Sequence, residues 1–215
     1  ELDNKFSFAF KETIFENNRY IITKGYDEDP TSPREDSNLG ICLLYHNRFN
    51  LAWENKNISN EVESLEDLKK EAIDNGAIPS SILVVEMYDH SGVTLKAYKE
   101  AYKRCGWDSS IIGIIYTTKD NLKEMGIKNN SKRIEEILKA EIEIYNKYIN
   151  GEVYQYSLYE KLEYTKIYSK NGETKKDIEL NLIDCIGGIY EDYEDNTNGI
   201  KQLSIDYFGI NLESD

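Results

Sequence analysis

Strand-like runs cluster along this chain instead of alternating strictly with helices, and that ordering decides the fold class. Ile82-Leu83-Val84-Val85-Glu86-Met87-Tyr88, after Pro79, is the strongest strand pattern. Ile111 to Thr117 is a second β-branched run, with Gly113 inside it. Val153 to Tyr168 alternates, Asn171-Gly172 is a hairpin signal, and Ile178 to Ile183 returns as the next strand. Phe6-Ser7-Phe8-Ala9-Phe10, Tyr20 to Thr23 and Leu39 to Tyr45 add three shorter strand candidates. The expectation is an α+β fold: a mostly antiparallel sheet with a few covering helices.

Helix signals are fewer and well punctuated. Ser131 to Asn150 is the strongest, with a stripe of Ile134, Leu138, Ile142, Tyr145 and Ile149 and a stop at Gly151. Glu135–Lys139 and Glu143–Lys147 stand four apart in the favourable order. Ser64 opens another helix, with Asp67 three residues on in a variant of the capping box and Gly76 at its end. Leu65, Leu68, Ala72 and Ile73 line its face. Thr117 or Thr118 caps a short helix ending near Gly126, and a last helix runs around Ile200 to Phe208. Residues 94–104 are ambiguous: Leu95, Tyr98, Ala101 and Tyr102 have helical spacing, but the segment is short. Asp27 to Asn38, with Pro30 and Pro33, reads as a loop. One domain over 1–215 is expected, with a secondary division between a sheet-rich part, 1–130, and a part of helix, hairpin and acidic C-terminal stretch, 131–215.

Composition narrows the setting. Hydrophobic residues make up 40%, enough for a substantial core. Cys42, Cys105 and Cys185 are an odd set at wide spacing with no CxxC, which fits a reducing, cytoplasmic compartment rather than a disulfide framework. No apolar run approaches a membrane span. The start at Glu1 reads as trimming of a longer chain. The net charge of −14 disfavours direct nucleic-acid binding, because such a surface repels phosphate. Half of that charge lies in residues 184–215, where eight acids face Lys201 alone. An acidic end of this kind attracts a basic partner, although plain solubility accounts for it too.

Chemistry-bearing residues gather around two strand ends. His46 and His90 each close an apolar strand, and Asp89 precedes His90. A histidine beside a carboxylate serves as a general base or metal ligand; it also simply satisfies a loop's hydrogen bonds. His46, His90 and Asp108 form the catalytic candidate set, with Cys105 as a nucleophile candidate; His46, His90 and Asp89 form the metal candidate set. Trp107-Asp108-Ser109 reads equally as a turn anchored by its indole. Ser91-Gly92 lacks a GxSxG elbow, and Gly187-Gly188 lacks the lysine of a phosphate loop and reads as a bulge. No cofactor motif is present. A pocket, if there is one, lies where Tyr88–Gly92 meets Cys105–Ser110, with His46 nearby.

Asn38-Leu39-Gly40, His46-Asn47-Arg48-Phe49-Asn50-Leu51, Tyr88-Asp89-His90-Ser91-Gly92, Trp107-Asp108-Ser109 with Gly113 and Tyr116, and Asp184-Cys185 with Gly188 together resemble an uncharacterised family encoded by bacteriophages and other mobile elements. The likeness spans about residues 38–190. The chain departs from it in a longer stretch between Gly92 and Trp107 and in a hairpin-like insertion at about 162–176. The resemblance implies an accessory role of the kind that antagonises host defence, CRISPR or restriction, by masking a basic, nucleic-acid-binding protein. Glu191, Asp192, Glu194 and Asp195 would then make the contact, with Tyr88, Trp107 and Arg48 as further binding candidates. Two rival expectations stand beside it. One is a small enzyme or metal-dependent site on His46, His90 and Asp108. The other is a protein that binds a nucleotide signal through aromatic walls with Arg48 and Arg104.

Overall fold

The computed structural model describes residues 12–35, 37–45, 64–89, 92–99, 109–168, 173–193 and 197–212. The fold is α+β, with two antiparallel four-stranded sheets. The chain divides into two compact units: residues 31–150 form one, and residues 1–30 with 151–215 form the other. The boundaries fall at 30/31 and 150/151, not at the secondary division of 130/131 that the sequence suggests. The reason is packing, because the long helix buries its stripe in the core of the 31–150 unit.

In the 31–150 unit the strands are β1 (Ile41–Leu44), β2 (Leu83–Asp89), β3 (Val93–Tyr98) and β4 (Ser109–Tyr116), in the spatial order β1-β4-β2-β3. Helix α1 (Leu65–Asp74) covers one face through Leu68 and Ala72, against Leu43, Ile114 and Tyr116. Helices α2 (Lys119–Glu124) and α3 (Ser131–Ile149) cover the other, burying Leu122, Ile134, Leu138, Ile142 and Tyr145 against Cys42, Leu83, Val85, Met87 and Ile115. With both faces covered, the strands read as continuous apolar runs rather than alternating ones.

Caps follow the sequence. Ser64 accepts from Asp67 N and donates its hydroxyl to the Asp67 carboxylate, and Thr118 accepts from Asn121 N. Asn130 caps α3 by accepting from Arg133 N, and Gly126 and Gly151 adopt positive φ just past α2 and α3. One open segment is decided and one expectation changes. Residues 93–98, ambiguous in the sequence, are an edge strand, because β3 pairs with β2 throughout and α3 satisfies its backbone: Leu95 N donates to Asn146 Oδ1 and Asn150 Nδ2 donates to Val93 O. Ile73 is exposed on α1 rather than part of its packed face.

Gly113 bends β4. Val85 pairs with Gly113 and Glu86 with Ile111, so Ile112 is the extra residue of a β-bulge. The bulge turns Ile112 and Ile115 to the α3 face while Ile114 and Tyr116 face α1. Gly113 has φ +151, and a Cβ there would stand 1.9 Å from Leu43 O. Only glycine tolerates that backbone and that approach.

A polar clamp fixes the loop leading into β1. Arg34 and Glu141 pair at 3.0 Å with side chains only 4% and 12% exposed. Glu141 also accepts from Leu39 N (2.8 Å) and Gly40 N (3.0 Å), while Arg34 donates to Gly40 O (2.7 Å) and to Asn38 Oδ1. A Cβ on Gly40 would lie 2.6 Å from Ile115 Cδ1 and 2.7 Å from the Glu141 carboxylate, so a larger residue would have to displace the side chains that form the clamp. The Asn38-Leu39-Gly40 motif is thus a docking point for α3.

In the other unit the strands are β5 (Glu12–Glu16), β6 (Tyr20–Tyr26), β7 (Tyr154–Tyr168) and β8 (Glu173–Ile189), in that spatial order. Helix α4 (Thr197–Asp206) packs Ile200 and Leu203 on Tyr20, Ile22, Tyr156 and Leu158. The hairpin expected around Asn171-Gly172 is present as β7 and β8, though residues 169–172 and the strand candidate Phe6–Phe10 lie outside the described residues. Gly187-Gly188 is a bulge: Tyr154 pairs with Ile189 and Tyr156 with Ile186. Among the described residues, no helix is long and apolar enough to cross a membrane.

Candidate functional site

Two places bear on function, one in each unit. In the 31–150 unit, β1 and β2 both run antiparallel to β4, which lies between them. Their C-terminal ends therefore reach the same end of the sheet as the N-terminus of β4. Tyr45 N donates to Ile112 O (2.7 Å), Tyr88 stands opposite Ser109, and Asp89 opposite Val93. The described residues Tyr45, Tyr88, Asp89 and Ser109 thus lie at one end of the sheet. His46, Arg48, His90, Cys105, Trp107 and Asp108 themselves lie outside the described residues.

What is described at this end is polar and aromatic. Tyr88 and Tyr45 are exposed. Glu86, two residues before Tyr88 and directly opposite Lys96, has one carboxylate oxygen buried with no hydrogen-bond partner among the described residues. Sequence reasoning passed over Glu86, although it interrupts an otherwise apolar run. Among the described residues, no group of three or more His, Cys, Asp or Glu is placed to hold a metal ion. Cys42 is buried in the core, and Cys185 is exposed, with its Sγ 3.2 Å from Ser157 Oγ.

The second place is the acidic end of the other unit. β6 ends where β7 begins, with Tyr26 opposite Tyr154, and β8 ends beside them, with Ile189 opposite Tyr154. This brings Asp27-Glu28-Asp29 and Glu152 to the same end as Glu191-Asp192. Asp27 is bound there on both sides: its N donates to Val153 O, and its carboxylate accepts from Gly188 N (2.8 Å). Tyr26 is 60% exposed beside Tyr154, ring centroids 5.6 Å apart. The sequence shows the acids of 184–215 as one run; it does not show that 27–29 joins them. The run Asp27-Glu28-Asp29 was the available signal, and as part of a loop it carried no address.

The acids here are not all bare. Lys24 Nζ donates to both oxygens of Asp192, each at 2.8 Å, and lies 4.8 Å from the centre of the Tyr154 ring. Tyr193 donates its hydroxyl to Glu191 (2.9 Å), and Tyr156 donates its own to Glu191 O (2.9 Å). Burial, and next the hydrogen bond to Glu191, push the Tyr193 phenol up to about 12. Burial first, then the Asp192 charge, raise Tyr154. Glu28, Asp29, Glu152 and Glu191 are exposed. Glu194 and Asp195 lie outside the described residues.

Charge divides unevenly between the units. The unit of residues 1–30 with 151–215 holds 21 acids against 10 bases, a net −11; the unit 31–150 holds 19 acids against 16 bases, a net −3. Most of the chain's net charge therefore belongs to one unit, and −7 of that unit's −11 lies in residues 184–215. Comparison with protein-family models, with curated proteins and with solved structures finds no match.

Proposed function

We propose that the chain is an acidic, non-enzymatic accessory protein of a bacteriophage or mobile element that binds a basic surface of a host protein and masks it. The observation that carries the reading is the acidic end: Asp27, Glu28, Asp29, Glu152, Glu191 and Asp192 meet at one end of a sheet whose unit carries −11. Exposed Tyr26 beside them supplies the aromatic anchor that interfaces favour, ringed by charge. Lys24 holds Asp192 in place, so part of the patch is preorganised. The mobile-element origin and the choice of a CRISPR or restriction component as target rest on the sequence resemblance. Direct nucleic-acid binding is disfavoured by the same charge.

The test is capture of purified CRISPR effector and restriction proteins by the immobilised chain at low and high salt. Capture at low salt, weakened by salt and by joint neutralisation of Glu28, Asp29, Glu191 and Asp192, supports the reading. Capture undiminished by the neutralised variant overturns it.

A second reading is favoured by the convergence of Tyr45, Asp89 and Ser109 at one sheet end. It makes His46, His90 and Asp108 a small catalytic or metal site. Zinc or manganese titration of the chain, with His46→Ala and His90→Ala as comparisons, tests it; no binding by the unsubstituted chain removes the metal version.

A further inference from the structure

β8 is the outer strand of its sheet, and no other described strand pairs with its outer edge. Which backbone groups lie on that edge follows from the ladder. Lys161 N donates to Arg19 O and Asp27 N to Val153 O, so the odd-numbered residues of β7 bond to β6 and the even-numbered ones to β8. Glu160, Leu162 and Tyr164 stand opposite Asn181, Glu179 and Asp177. Those three residues of β8 therefore turn their N–H and C=O inward, and Ile178, Leu180 and Leu182 turn theirs outward. A row of outward backbone groups is a template for another strand.

Two aspartates bound the open stretch. Asp177 Oδ1 accepts from Ile178 N (3.1 Å) and Asp184 Oδ1 from Cys185 N (2.8 Å), so each closes the outward amide that follows it. Between them, the amides of Leu180 and Leu182 have no acceptor among the described residues. The outer strand β3 of the other sheet differs: Asn146 and Asn150 fill its edge at Leu95 N and Val93 O. On β8, Ile178, Glu179, Leu182 and Ile183 are all exposed.

Side chains along this stretch select the occupant. Ile178, Leu180 and Leu182 share one face, with Glu163, Lys161 and Tyr159 of β7 behind them; Asp177, Glu179 and Asn181 share the other. Ile178 is 38% exposed and Leu182 52%. Residues 177–184 hold three acids and no base. Lys166 engages Asp177 at 2.6 Å, whereas Glu179 and Asp184 make no ion pair among the described residues. A second copy of the same stretch would set acids beside acids, and a nucleic acid would bring phosphates to them. A strand that is basic on one face and apolar on the other complements both rows. Beyond the Tyr20–Glu160 pair, moreover, β7 and β8 form a two-stranded ribbon, which is marginally stable until a third strand joins it.

We infer that the edge of β8 between Asp177 and Asp184 takes an extended segment of a partner protein, with basic and apolar residues alternating, as an added strand. Main-chain hydrogen bonds to Leu180 and Leu182 hold the segment. Ile178, Leu180 and Leu182 pack its apolar side chains, and Glu179 and Asp184 meet its cations. This contact is additional to the acidic end and shares with the proposed function only the basic character of the partner.

The test titrates the full chain with a synthetic octapeptide of alternating valine and lysine and follows amide hydrogen exchange by NMR. With the peptide at about ten times its Kd, exchange at the Leu180 and Leu182 amides slows about tenfold by mass action. Ile178 and Cys185, whose amides already bond to aspartates, change little. The same peptide with N-methylated backbone amides keeps its charge and loses the protection, as does a valine–glutamate peptide. Leu180→Pro removes an outward N–H without touching the ladder to β7, so it keeps the fold and loses the peptide; if it unfolds, the N-methylated peptide decides alone. A chain with Glu28, Asp29, Glu191 and Asp192 neutralised binds the valine–lysine peptide like the parent. Absence of protection at Leu180 and Leu182 overturns the inference. So does equal binding of the N-methylated or the valine–glutamate peptide, or equal binding by a folded Leu180→Pro chain. Binding lost on neutralising the acidic end also overturns it, and leaves the proposed function standing.

Discussion

Glu141 on α3 stands 3.0 Å from Arg34 and also accepts the backbone N–H groups of Leu39 and Gly40, so one buried carboxylate ties the entry of β1 to the helix that covers it. Removing one partner of such a pair leaves an uncompensated buried charge. Glu141→Ala is expected to cost about 3–5 kcal/mol in urea unfolding. Replacing both partners, Arg34→Met with Glu141→Leu, should not restore stability. The apolar pair abolishes the charge problem but leaves the Leu39 and Gly40 donors without their acceptor, at about 1–3 kcal/mol each. Full recovery by the double variant would contradict the clamp's second role.

Gly113 and Gly126 both have positive φ, but only Gly113 has a neighbour in the way. Gly113→Ala is expected to lose more than about 3 kcal/mol, since strain at this backbone adds to a clash with the Leu43 carbonyl. Gly126→Ala should lose about 1–2 kcal/mol, the cost of the left-handed conformation alone. Thermal unfolding of the two variants in parallel gives the comparison.

Several phenols are raised above their ordinary range by burial in the folded chain. Burial pushes Tyr145 on α3 from 10.0 up to about 12, and burial with the Glu191 hydrogen bond does the same for Tyr193. A pKa raised in the folded state means that the folded chain holds its proton longer. The corresponding stability is fully present below about pH 10 and is lost as pH rises through about 12. Alkaline titration followed by tyrosinate absorbance should show a late phase that shrinks in Tyr145→Phe and in Tyr193→Phe. Unfolding at a pH near 10, with all phenols titrating together, would contradict it.

Much of this fold was legible in the sequence because its signals are local. The caps at Ser64 and Thr118, the apolar stripe of α3 and the glycine stop at Gly151 each act within one turn, and the structure returns them where the pattern puts them. The edge strand Val93–Tyr98 was illegible for the opposite reason. Its helical spacing is real, but pairing with β2 and the bonds from Asn146 and Asn150 outweigh local preference. The acidic end failed to appear for a similar reason. Asp27-Glu28-Asp29 and Glu191-Asp192 are distant in sequence and meet only because β6 and β8 both finish beside the start of β7. Arg34 read as a loop residue, since nothing near it in sequence foretells Glu141.

Lys24 tests the acidic end without disturbing the fold. Its ion pair with Asp192 involves a carboxylate that keeps 44% of its exposure, so Lys24→Met should change stability by less than about 1 kcal/mol. It also removes the cation that offsets the patch. Association with a basic protein is therefore expected to accelerate, read as a higher on-rate at low salt. A slower on-rate would mean that Asp192 must be held by Lys24 to make contact.

The most direct measurement is the association rate of the chain with a captured basic host-defence protein across a salt series, for the parent and for a variant with Glu28, Asp29, Glu191 and Asp192 neutralised. The account predicts an on-rate that falls steeply with salt for the parent and is both lower and nearly flat for the variant. Equal rates with equal salt dependence for the two chains would contradict it.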